Sequence, residues 1–126
     1  MSELKETINI NTKHQSFHGS LCVVQFMDHG HYISYMPSLN LTGYGDTPNE
    51  ADKLLMDFVV KDFLEGLFSL EKDELIFDEL KKLGWQRSPF FKKDLNKSAY
   101  VNKEGILRDF NLPAETKIES KLMSVA

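Results

Sequence analysis

Two histidines one residue apart, His29 and His31, would put both imidazoles on one side of an extended chain, which is half of a metal site. They flank Gly30 in the turn-like run Asp28-His29-Gly30-His31 and no CxxC pair completes a ligand set, so the spacing favours turn histidines. Asp28, Asp46 and Glu50 are the second group with chemical reach, since converging carboxylates hold the ions of two-metal nucleases. Asp46 and Glu50 already have a structural task at a helix start, described below. Gly43-Tyr44-Gly45 has the glycine spacing of a phosphate loop, but no Lys-Ser or Lys-Thr follows it. Cys22, inside LCVVQF, reads as a buried, inert thiol, because reactivity needs exposure and a lowered pKa. His14 and His18, four residues apart in polar surroundings, read as exposed loop residues. No nucleophile, base and orienter converge. The reading is of a chain that is not an enzyme, with no catalytic residue, no metal and no cofactor.

Binding chemistry is better represented. Arg87, Lys92 and Lys93 interleave with Trp85, Phe90 and Phe91, the pattern for phosphate contacts combined with base stacking. A small nucleic-acid-binding protein using residues 85–93 is therefore the alternative function. The charge also divides along the chain: residues 46–79 are strongly acidic and residues 81–108 basic, so that each half can steer a partner of opposite sign. Asp46, Asp57, Asp62 and Glu65 are the candidate partner-binding residues of the acidic half.

The elements that position these groups start from residues 32–68. Thr47 is suited to cap a helix, Pro48 to its first position, and Glu50 to close a capping box three residues on. Within that helix Ala51, Leu54, Leu55 and Phe58 form one apolar stripe, and Met56, Val60, Phe63 and Leu67 another turned well around the cylinder. The first stripe is expected to lie on a sheet and the second against another helix or a second subunit, which makes a homodimer a candidate. Gly66 is expected near the helix end. Upstream, residues 4–11 predict an edge strand, 12–19 a polar connection, and 21–27 with 32–36 a hairpin turning at Asp28 to His31; 39–44 predict a third short strand. Downstream, residues 73–83 predict a second helix stopped by Gly84, and 85–91 with 99–101 a hairpin whose turn is DLNKS. Ile118, Leu122 and Val125 have helical spacing in the tail.

The fold class that follows is α/β (α+β): a small antiparallel sheet with a β-β-β-α-β core covered by one long helix, plus a second helix and a C-terminal hairpin. A chain of 126 residues, 41% hydrophobic and 27% charged, fits a single domain over 1–126 with an extension from about residue 70. A net charge of −4 argues against a dedicated non-specific nucleic-acid binder. One cysteine, no apolar signal core and no membrane-length apolar run lead to the expectation of a cytoplasmic protein.

The run Asp28-His29-Gly30-His31-Tyr32-Ile33-Ser34-Tyr35-Met36-Pro37-Ser38-Leu39, followed by Gly43-Tyr44-Gly45-Asp46-Thr47-Pro48-Asn49-Glu50-Ala51, resembles the bacterial HicB antitoxin family of toxin-antitoxin systems. There an aromatic-rich second strand ends at a Pro-x-Leu corner and a Gly-Asp-Thr-x-x-Glu-Ala signature opens the helix. The resemblance spans at most residues 21–67. It implies a partial ribonuclease H-like fold without catalytic carboxylates, and a role in masking a HicA-type ribonuclease toxin. Asn40-Leu41 stands where the family often has Pro-Gly-Cys, and no helix-turn-helix or ribbon-helix-helix pattern follows Gly84.

Overall fold

The computed structural model describes residues 3–87, 94–100 and 103–125. Its order is β1 (Glu3–Asn11), β2 (Ser16–Asp28), β3 (His31–Met36), β4 (Leu41–Gly45), α1 (Pro48–Leu54), a π-helical turn (Leu55–Val59), α2 (Val60–Phe68), α3 (Asp73–Lys82), β5 (Gln86–Arg87), β6 (Asp94–Tyr100), α4 (Lys103–Asp109) and β7 (Glu119–Val125). The class is α+β, with all the strands in one antiparallel sheet.

The long strand β2 is the spine of that sheet. Its first part pairs with β1 (Thr7↔Ser20 to Asn11↔Ser16) and its last part with β3 (Val24↔Tyr35 to Asp28↔His31), while β7 runs along Gly19 to Gln25. Gly19 and Ser20 are therefore paired to both β1 and β7, and Val24 and Gln25 to both β3 and β7. A strand residue has only two edges. β1 and β3 must share one edge of β2, with β7 on the other, and the shared edge is split where β1 leaves and β3 begins.

The hairpin turn is set by His29 (φ 51) and Gly30 (φ 82), two consecutive left-handed residues as a two-residue hairpin requires. On one face of the sheet lie α1, α2 and α3, over a core that includes Ile8, Ile10, Leu21, Val23, Met36, Leu55, Val60, Ile76, Leu80 and Trp85. On the other face α4 and the chain after it cover Cys22, Val24 and Phe26, with Phe110 edge-on to Phe26 (4.9 Å between centroids) and Tyr35 (5.1 Å). The alternation of β3, with apolar residues on both sides, is thus matched by two covering layers.

Several expectations are corrected. β1 is interior, because β6 pairs along its other edge from Glu3↔Tyr100 to Asn9↔Asp94. β2 starts at Ser16, so His18 lies in a strand and only 12–15 turn the chain. Asp94 to Ser98 belong to β6, since β1 offers them a complete ladder; the 88–91 part of the expected hairpin lies outside the described residues. The tail is the strand β7, because β2 has a free edge for it, and Leu122 is 45% exposed where a helical stripe would have buried it. α4 carried no helix signal strong enough to be read from the sequence.

The two stripes of the long helix are joined by the π turn. Buried residues fall at Ala51, Leu55, Val60 and Leu67, so one extra residue between Leu55 and Val60 rotates the second stripe back onto the same core. Phe58, placed with the first stripe by its spacing, is the residue thrown outward, at 64% exposure. Val60 and Leu67, of the second stripe, pack within this chain against the core that holds Ile76 and Leu80. Gly66 lies inside α2, which runs on to Phe68.

Candidate partner-binding groove

The helix start has the expected Thr47 cap, with the returning half of the capping box displaced by one residue. Thr47 Oγ1 accepts from Glu50 N (3.1 Å), while Glu50 Oε2 accepts from Asp46 N (2.9 Å), one residue before the cap. Gly43 and Gly45 do not form a phosphate loop. They sit in β4 under α1, where a Cβ on Gly43 would lie 2.6 Å from Leu55 N and 2.7 Å from Ala51 O. Their role is to let the helix approach the sheet.

The carboxylates near this start each have a local partner. Asp28 Oδ1 lies 2.6 Å from His29 Nδ1, and Asp46 Oδ1 lies 3.2 Å from His31 Nδ1, with both histidines exposed. No group of three or more His, Cys, Asp or Glu residues suited to a metal is found among the described residues. Cys22 is fully buried, and burial, with the Glu6 carboxylate adding to it, raises its pKa from 9.0 to about 11. It is a packed, protonated thiol.

The split in the sheet holds an acid that sequence reasoning missed. Glu6 and Ser38 are both buried; Glu6 Oε2 accepts from Cys22 N (2.9 Å), Ser38 Oγ donates to Glu6 Oε1, and Trp85 Nε1 donates to Ser38 O (3.1 Å). The carboxylate supplies the acceptor that β2 lacks between β1 and β3. Its signal is positional: Glu6 is in phase with Ile8 and Ile10, so alternation points it into the core. A second polar cluster ties β7 to α1. Asp52 accepts from Ser34 Oγ (2.6 Å), Gln25 Nε2 (3.2 Å) and Lys121 Nζ, bridging four elements across the sheet. Each group of the buried Glu6 cluster and of the partly exposed Asp52 cluster has partners within the chain, so both clusters are structural.

The basic aromatic segment is only partly described. Trp85 is 1% exposed, and its indole is committed to Ser38. Arg87 stands over the Phe77 ring, 3.8 Å from its centroid. Lys92, Lys93, Phe90 and Phe91 lie outside the described residues.

The acidic candidates separate into three places. Asp46 is at the start of α1 beside His31. Asp62 lines a hollow with Phe63, Leu67, Leu41 and Glu79. Asp57 and Glu65 both line a groove of ≈ 860 Å³ between α2 and the β1–β2 turn. Its floor holds Phe17, Val60 and Val125, its wall Met56, Leu64 and Phe68, and Glu71 joins the acidic rim, with Lys61 and His18 also present. Met56, Val60, Leu64 and Phe68 recur every fourth residue, forming one continuous apolar row. Leu64 and Phe68 were missed because the stripe read from the sequence continues from Val60 to Phe63 and Leu67, an equally helical spacing that passes over them.

No helix of the described residues is long and apolar enough to cross a membrane. No family model, curated protein or solved structure matches this chain.

Proposed function

We propose that this chain is a non-catalytic protein-binding module whose groove along α2 receives an apolar, basic segment of a partner. The observation that carries the reading is the coincidence of an apolar row, Met56, Val60, Leu64 and Phe68, with an acidic rim of Asp57, Glu65 and Glu71. From Met56 to Phe68 the row is roughly 18 Å long at the α-helical rise, enough for about three turns of an amphipathic helix. Carboxylates outnumber Lys61 on the rim, so basic flanks on the partner are favoured and acidic ones repelled, which acts chiefly on partner choice and association rate. Joined to the HicB-like pattern of residues 28–51, the reading becomes antitoxin-like: the partner is a small basic ribonuclease of the HicA type, masked when bound.

The test is a tagged recovery from the native cell at moderate salt, with proteins identified by mass spectrometry and co-purifying RNA sequenced. A small basic protein in near-equal amount, with ribonuclease activity that returns on separation, is the expected result. Its recovery falls when Asp57→Lys and Glu65→Lys are combined on the exposed rim. Recovery of RNA with no protein overturns the reading, and so does a partner that ignores the double substitution.

A further inference from the structure

The second edge of β7 has no partner strand among the described residues. β7 pairs with β2 over all seven positions, Gly19↔Val125 to Gln25↔Glu119. The direction of its backbone groups follows from Glu6. Cys22 N–H reaches Glu6 on the β1 and β3 edge, so Cys22 turns its N–H and C=O away from β7. Its cross-strand neighbour Leu122 must then turn its own N–H and C=O away from β2, and so must Ser120 and Ser124. These three residues present an open ladder.

We propose that this edge pairs with the same edge of a second copy of the chain, antiparallel about a two-fold axis at Leu122. The axis is chosen by self-complementarity. Outward residues must meet outward residues, and only a centre at Leu122 uses all of them: Leu122 against Leu122, and Ser120 against Ser124 in both directions. Leu122, 45% exposed in the single chain, is covered by its symmetry mate. On the other side of the sheet Lys121 falls opposite Met123 and Glu119 opposite Val125, so no like charges face each other directly. Lysine on an edge strand usually blocks such pairing. Here Lys121 is drawn back onto Asp52 of its own chain, and the strand contains no proline or glycine. Two copies joined this way share one sheet continuous through both β7 strands, an isologous contact that closes at two.

The experiment is sedimentation equilibrium of the full chain over a wide concentration range, with residue-resolved amide exchange at both ends of it. The expected result is a reversible dimer in which the Ser120, Leu122 and Ser124 amides become protected as the dimer fills. Leu122→Lys, which sets two charges against each other on the axis, weakens the dimer by about tenfold or more. Leu122→Pro abolishes it while leaving the β2 ladder intact, because the lost N–H is an outward one. Circular dichroism of both variants checks the fold. A monomer at all concentrations overturns the proposal. A dimer that leaves the three amides exposed, or that survives both substitutions in a folded protein, also overturns it; protection of those amides only on adding an unrelated protein assigns the edge to that partner instead.

Discussion

Replacing Glu6 tests the account of the split sheet directly. Glu6→Ala removes the acceptor of Cys22 N–H and the acceptor of Ser38 Oγ–H, both in a fully buried setting. An orphaned buried donor costs about 1–3 kcal/mol, so two of them cost roughly 2–6 kcal/mol before any term for the space left behind. Against a total stability of about 5–15 kcal/mol for a domain of ordinary size, this is a large loss. Glu6→Gln keeps the shape and an acceptor for Cys22 N–H, and its amide N–H can donate to Ser38 Oγ. Removing the charge also removes a desolvation penalty, so this variant is expected within about 1.5 kcal/mol of the parent. The assay is urea unfolding followed by fluorescence of Trp85, which donates to Ser38 in the same network. The expected order is parent close to Glu6→Gln, with Glu6→Ala far below and an unchanged m-value. At about 4 °C per kcal/mol near the midpoint, the alanine variant melts roughly 8–24 °C lower. If Glu6→Ala unfolds at the parent's urea midpoint, the carboxylate does not hold the split and the reasoning fails.

Two further outcomes follow from local geometry. Gly43→Ala forces a Cβ to 2.6 Å from Leu55 N, so α1 must lift from β4 at a cost of about 1–3 kcal/mol, whereas Gly66→Ala meets nothing within 4 Å on an exposed helical face and stabilises by about 0.5–1 kcal/mol; paired urea curves give both signs. For Cys22, raised from 9.0 to about 11 by burial first and Glu6 second, the unfolded thiol ionises before the folded one. The stabilisation from keeping it protonated is full below pH 9 and is lost as pH rises through 11, on the order of 3 kcal/mol in all, and Cys22→Ala flattens that part of the stability profile.

The HicB-like pattern and the groove bear on the same proposal from different directions. The pattern of residues 28–51 is local, and the structure accounts for most of it by folding needs: His29 and Gly30 make a tight turn, Gly43 and Gly45 admit a helix, and Thr47 with Glu50 starts it. The groove adds what local needs do not explain, an apolar row of partly buried Met56, Leu64 and Phe68 about the buried Val60, beside an acidic rim. Phe58, ejected at the π turn, lies outside that groove, and nothing in the structure explains its exposure beyond the extra residue of the turn.

What the sequence determined by itself were the elements whose cause is local. The cap at Thr47, the stop at Gly84 (φ 98), the body of α3 and the turn before His31 depend on residues within four positions of each other, so spacing reveals them. The division of charge was equally plain, although only folding separated Asp46 and Asp62 from Asp57 and Glu65. Tertiary structure decided the rest. Ile118, Leu122 and Val125 allow a helix until β2 offers an open edge, and DLNKS reads as a turn until β1 supplies a ladder. The π turn exists because one core must receive both apolar stripes of a single helix, and Glu6 is buried because two strands part along the edge of a third. Each of these is fixed by a neighbour distant in sequence, and local periodicity, which marks the inward face that Glu6 shares with Ile8 and Ile10, does not reveal that neighbour.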